Sequence, residues 1–128
     1  MPDVPPALYR LSVEGEPQVK QRPRVVNGHT YTPAATVQAE HRLAWAFKGQ
    51  YPGVEPDALT RFGLRVIFFV KSARRADIDN RLKVILDAGN GVIWQDDSQC
   101  DEIHALVIHG VTLPRTQIEI FRVRPEWG

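Results

Sequence analysis

The run Leu64-Arg65-Val66-Ile67-Phe68-Phe69-Val70 constrains this chain more than any other stretch. It is rich in β-branched and aromatic residues. No apolar run in the sequence is longer than its apolar part, Val66 to Val70, which is far too short to cross a bilayer. Such a segment reads as a central strand that other elements must cover. With 128 residues, 43% of them hydrophobic, the chain can build one packed interior, so the expectation is one small domain around this strand.

The remaining elements follow from periodicity and breakers. Tyr9, Leu11 and Val13 alternate with Leu8, Arg10 and Ser12, which predicts a strand with one buried face after a loose arm over residues 1–6. In Lys20-Gln21-Arg22-Pro23-Arg24 the three cations point the same way if the backbone is extended, and Pro23 restricts the stretch to a sheet edge or loop. Asn27-Gly28 signals a hairpin turn. Thr32-Pro33 reads as an N-cap and first helical residue, opening a helix to about Lys48 that buries Val37, Leu43, Ala44 and Phe47. Residues 50–58 are rich in breakers and form a loop.

A second helix is expected from Asp79 to Ala88, with Leu82, Ile85 and Leu86 on its apolar face and Gly89-Asn90-Gly91 ending it. Val92 to Trp94 is a candidate short strand. Ile103 to Val111 and Gln117 to Val123 read as a closing antiparallel pair joined around Leu113-Pro114-Arg115. The order is roughly β-β-α-β-α-β-β, an α/β (α+β) domain with two main helices over residues 7–128.

Net charge is only +1, but the charges are segregated. Residues 17–76 carry ten Lys/Arg against three acids, and residues 77–102 carry seven acids against two bases. A basic surround with an acidic centre suits a metal-dependent enzyme acting on a polyanion, because bound metal reverses the sign of the centre.

That centre holds Asp77-Ile78-Asp79-Asn80-Arg81-Leu82-Lys83, then Trp94-Gln95-Asp96-Asp97-Ser98. Where backbone is extended, Cα atoms two residues apart are roughly 6.6 Å from each other and their side chains share one side, so Asp77 and Asp79 could share a metal. The plainer role for one of them is the N-cap of the helix, which leaves the second acid and Lys83 without a purpose. Lys83 could stabilise charge developing on a phosphate, or simply pair with Asp79 or Asp87 one turn away. Asp96-Asp97-Ser98 could equally be a capped turn.

Other chemistries are excluded by residue type. An EF-hand loop fails at Arg81 and Leu82, and no Asp/Glu-x-Lys occurs before any lysine. His29, His41, His104 and His109 lack zinc-ligand spacing, and His104 and His109 read as strand residues. Cys100 is the single cysteine, which rules out an internal disulfide and a cysteine-based zinc site. Met1-Pro2-Asp3-Val4-Pro5-Pro6 has neither a basic n-region nor an apolar h-region, so it does not read as a signal peptide. The expectation is a soluble, cytoplasmic protein.

Asp77-x-Asp79-Asn80-x-x-Lys83 followed by Trp94-x-Asp96-Asp97-Ser98-Gln99 closely resembles the signature of the RusA family of Holliday junction resolvases. Gly15-x-Pro17-x-x-Lys20-Gln21-Arg22-Pro23-Arg24 and Tyr31-Thr32-Pro33 are similar to the N-terminal pattern of its phage and prophage members. The resemblance covers about residues 11–111. It implies that Asp77, Asp79 and Asp97 are Mg²⁺-binding carboxylates, one or two ions per site, and that Lys83 is the essential lysine. It also implies a homodimer with a mixed sheet, whose two sites make paired symmetric nicks across a four-way junction. Three departures stand out: Arg81 where leucine is usual, Asp87-Ala88-Gly89-Asn90-Gly91 where the family has leucine at the third position, and Cys100 for an aliphatic residue.

The expected function is therefore a Mg²⁺-dependent endonuclease on branched DNA, with Asp77, Asp79, Lys83 and Asp97 in the site and no membrane partner. Lys20, Arg22, Arg24, Arg74 and Arg75 would hold phosphates. The alternatives are a broader branched-DNA nuclease and a non-catalytic, metal-stabilised DNA-binding module.

Overall fold

A computed structural model describes residues 5–31, 33–71 and 76–123. Strand β1 (Ala7–Glu14) is followed by a hairpin of two short strands, β2 (Arg24–Val26) and β3 (His29–Tyr31). Helix α1 (Ala34–Gln50), strand β4 (Phe62–Val70) and helix α2 (Ile78–Gly89) come next. A 3₁₀ turn (Asp97–Gln99) leads into β5 (Cys100–His109), and β6 (Arg115–Arg122) closes the order. The element order is the expected one, and the fold is α+β. The Thr32 cap, like Arg74 and Arg75, lies outside the described residues.

β4 is central, as its composition demands. Phe62, Leu64, Val66, Phe68 and Val70 are all buried on one face, beside Ile118 and Ile120 of β6 and Leu11 of β1. α1 covers this face with Ala39, Leu43 and Phe47, and α2 with Leu82, Val84, Ile85 and Ala88. In α1 the buried set is turned from the expected one: Thr36 and Ala39 are buried, while Val37 and Ala44 are only half-buried. Thr36 is accepted in the interior because its hydroxyl takes the Gln21 N–H at 3.2 Å.

The sheet order is β1-β6-β4-β5. This corrects the expected pairing of the last two strands. β6 lies between β1 and β4, antiparallel to both, while β5 runs parallel to β4 at the sheet edge. The alternation of β6 explains the difference: beside β4 it buries Thr116, Ile118, Ile120 and Phe121, which an edge position would leave half in water. The chain crosses the end of β4 to get there, through Gly110 at φ +76° and a bond from Val111 N–H to Val70 O at 3.2 Å. Val92–Trp94 is not a strand. It forms a turn with Trp94 in isolated bridges to Asp57 and Asn90.

The hairpin tip is as expected, with Asn27 and Gly28 at φ 52° and 78°, the left-handed pair that a tight turn between twisted strands requires. Every residue of β2 and β3 is exposed, so this hairpin stands off the core.

Candidate active site

Two ends of α2 carry the acidic motifs, and opposite ends of the sheet hold them. β1 and β4 both finish at the Glu14–Phe69 side, through their shared partner Arg115 on β6. From there Glu16 accepts the Lys71 N–H, and the following segment donates Lys20 N–H to Asn80 O at 2.8 Å, in the first turn of α2. The other end of α2 lies where β4 starts: Trp94 donates its indole N–H to Leu86 O at 3.2 Å and packs 5.6 Å from the Phe62 ring.

At the first end, Asp77 occupies the N-cap position of α2, but its carboxylate makes no cap bond. The capping role that could have explained this acid is not used. Asp79 is exposed, and its Oδ1 accepts the Asn80 N–H at 3.0 Å. Lys83 is exposed one turn on and forms no ion pair among the described residues, so the simple helix salt bridge is not made. The structure thus brings together two carboxylates and one cation, all facing water.

At the second end, Asp96 and Asp97 have separate roles. Asp96 caps the 3₁₀ turn, accepting Ser98 N–H at 3.0 Å, and the Ser98 hydroxyl and N–H hold its carboxyl below the usual range. Asp97 is half-buried and does not cap the turn. The turn is fixed by buried Gln99, whose Oε1 accepts from Gln95 and Asp96 N–H at 3.0 and 3.1 Å. Its Nε2 donates to Asp57 O and Thr60 O at 2.6 and 3.1 Å. Next to it, burial first, then Asp97 and Asp101, push the half-buried Cys100 thiol up to about 12.

One chain does not bring these two ends together. Among the described residues no group of three or more His, Cys, Asp or Glu side chains is placed to hold a metal ion. From Asp79 to Gly89 the helix alone advances about 15 Å at its normal rise. The Asp77–Asp79 pair still suits a hard divalent cation, since Mg²⁺ is commonly held by one or two carboxylates, with water and substrate phosphate filling the other positions.

The basic residues also divide. Arg22 and Arg24 are exposed. Lys20 does not point out with them: its Nζ lies 2.7 Å from Glu40 Oε1 and 2.9 Å from Asp87 Oδ2, tying α1 to α2. Burial works against its charge, but Glu40 and then Asp87 outweigh it and hold the ammonium above its ordinary 10.5. Glu40 drew no notice in the sequence, and only its spacing from Lys20 across two elements would have revealed it. Arg81 is buried at 5% exposure, donating to Ala76 O at 3.2 Å while its Nε has no partner among the described residues.

The sequence model of the endodeoxyribonuclease RusA family matches residues 14–121, nearly the whole chain. The chain belongs to the RusA endodeoxyribonuclease family. The match takes in both acidic motifs, the Lys20–Arg24 segment, strands β4 and β5 and nearly all of β6. RusA membership makes this an enzyme that hydrolyses DNA internally, of the family to which the Asp77–Lys83 motif was similar. No curated protein matches the chain. Among the described residues no helix is long and apolar enough to cross a membrane. A concavity of about 750 Å³ lies on the sheet beside Arg65, His104 and Glu119, and none of the three aspartates lines it. A nuclease working on a duplex needs an open surface, which is what Asp77, Asp79 and Lys83 occupy.

Proposed function

We propose that this RusA-family enzyme is a Mg²⁺-dependent endonuclease that resolves four-way DNA junctions by paired nicks, acting as a homodimer. The observation that carries the reading is the Asp77–Asp79 pair at the open start of α2, with no cap bond from the Asp77 carboxylate and with Lys83 beside it in no ion pair among the described residues. Two exposed carboxylates cost little in water but repel each other and any phosphate. They make sense as cation ligands.

Asp77 and Asp79, with Asp97 as a third carboxylate, would hold one or two Mg²⁺. When bound, Mg²⁺ supplies a lowered pKa for attacking water and neutralises charge on the phosphate. Lys83 places a cation where negative charge grows on the phosphoryl oxygens, the part of the reaction that electrostatic stabilisation serves best. Hydrolysis leaves a 5′-phosphate and a 3′-hydroxyl. Arg22 and Arg24, with Arg74 and Arg75, hold backbone phosphates without reading sequence. Lys20 anchors the segment that carries the first two.

Selectivity is tested by comparing cleavage rates on a four-way junction, a replication fork, a flap and a linear duplex of matched sequence in Mg²⁺. The junction should be cut fastest, by at least tenfold, and binding to it should fall steeply with salt. Equal rates on all branched substrates would favour the broader nuclease. Tight junction binding with no cutting would favour a binding module.

A further inference from the structure

Every residue from Gln21 to Tyr31 is exposed, the longest such run among the described residues. It contains the β2–β3 hairpin, and a two-stranded hairpin is marginal in water by itself. This one is held at its root. Lys20 N–H donates to Asn80 O in the first turn of α2, and Gln21 N–H donates to Thr36 Oγ1 in the first turn of α1. The hairpin therefore rises from the end of the molecule where Asp77 and Asp79 begin α2.

Its surface has a definite chemistry. No acid occurs between Glu16 and Glu40, while Arg22 and Arg24 lead into the ribbon. Arg24 stands opposite Tyr31 and Val26 opposite His29, so these four share one face, with Val25 and Thr30 on the other. Val25 and Val26, beside the Asn27-Gly28 turn, are 68% and 51% exposed. Single exposed apolar side chains need no explanation. Here two flank the tip of a ribbon that buries nothing, so the folded chain gives them no apolar surface to lie against.

The cations decide what does. An acid-free, basic root with an apolar tip complements a surface with phosphates outside and apolar faces within, which is nucleic acid whose stack is open. Three residues of strand advance roughly 10 Å, more than the depth of a major groove, about 8.5 Å. With Arg22 and Arg24 on phosphates, the tip reaches the bases. In a linear duplex each base-pair face is covered by its neighbour. At the crossing of a four-way junction the continuous stack is broken.

We propose that the β2–β3 hairpin reads the branch point: Val25 and Val26 insert against the base-pair faces at the crossing, while Arg22 and Arg24 hold the phosphates around it. The proposal rests on the junction-resolving activity proposed above. An apolar wedge must unstack a base step in linear duplex but meets one already open at a junction. The same contact thus favours junction over duplex. Because the hairpin is rooted beside Asn80, it also sets the nick close to the crossing.

The test uses a four-way junction and a linear duplex of matched sequence, each carrying 2-aminopurine, which brightens when it unstacks. Binding is followed in EDTA and cleavage in Mg²⁺. With the wild type, a probe at the crossing should brighten about twofold or more, and one in the middle of an arm should not change. Val25→Thr with Val26→Thr keeps the β-branched shape at exposed positions, and circular dichroism checks that the fold is kept. This pair should abolish the brightening and lower junction affinity about tenfold, with duplex affinity unchanged. Val25→Ile with Val26→Ile should keep both the brightening and the junction preference. Arg24→Gln should weaken junction and duplex binding alike. A threonine pair that brightens the probe and prefers junctions as the wild type does would overturn the proposal. So would equal losses on junction and duplex, which would make the tip a general DNA contact. A threonine pair that changes the oligomeric state by light scattering would make the tip a protein interface and overturn it too. A wild type that neither prefers nor cuts junctions would instead remove the activity on which the proposal rests.

Discussion

The indole of Trp94 lies directly against Gly89, so that a side chain at position 89 would occupy the space of its six-membered ring. This contact seats the turn carrying Asp97 against the end of α2, with Trp94 donating to both Leu86 O and Asn90 Oδ1.

Gly89→Ala should therefore destabilise the protein although alanine favours helix. Displacing a fully buried tryptophan costs about 2 kcal/mol, more than the propensity gain of roughly 1 kcal/mol. Urea unfolding with tryptophan fluorescence measures this directly. A stabilised Gly89→Ala would mean that the indole has room to move.

Asp96 and Asp97 should separate cleanly under mutation. Asp96→Ala removes the cap of the 3₁₀ turn, so the melting temperature should fall while tight Mn²⁺ binding persists. Asp97→Asn should leave the melting temperature nearly unchanged and abolish tight Mn²⁺ binding. Differential scanning calorimetry and EPR on the same samples give both quantities. The reverse pattern would make Asp96 the ligand.

Lys20 carries a pH prediction with a definite sign. Its folded pKa is raised above the unfolded 10.5, so its contribution is present in full below that pH and is lost as pH rises through the folded value. Stability from urea unfolding should fall as pH rises above about 10.5 in the wild type, and more shallowly in Lys20→Met. At pH 7 that substitution should cost on the order of 1–2 kcal/mol, since it leaves Glu40 and Asp87 facing each other. Identical slopes above pH 10 would show that Lys20 gains nothing from its partners.

Arg81→Leu should keep or raise stability, by on the order of 1 kcal/mol. The guanidinium is buried, its Nε has no partner among the described residues, and a hydrophobic residue there removes the cost of burying that charge. Chemical denaturation decides it. A loss above 1 kcal/mol would show that Arg81 is satisfied in the folded protein.

The sequence was a good guide wherever local chemistry decides structure. Alternation marked β1, composition marked β4, and Asn27-Gly28 marked the hairpin. α2 ran one residue further at each end than expected. What it could not show depends on neighbours distant in the chain. The apolar alternation of β6 is the same beside β5 or between β1 and β4, so its partners were misread. Lys20, Arg22 and Arg24 look alike in an extended segment, but only Lys20 meets Glu40 and Asp87. Arg81 stood out in the sequence only as an arginine where leucine is usual, and nothing local reveals that its side chain is buried. The acidic motif was legible as residue types, while the distance between its halves was not.

The most direct test of the account is to incubate a 5′-labelled four-way junction with the protein in Mg²⁺ and in EDTA, beside Asp79→Asn, and to map the cut ends. The account predicts paired, symmetric nicks leaving 5′-phosphates, absent in EDTA and reduced at least a thousandfold by Asp79→Asn, which should still bind the junction. Cleavage by Asp79→Asn at the wild-type rate, or undiminished cleavage in EDTA, would contradict it.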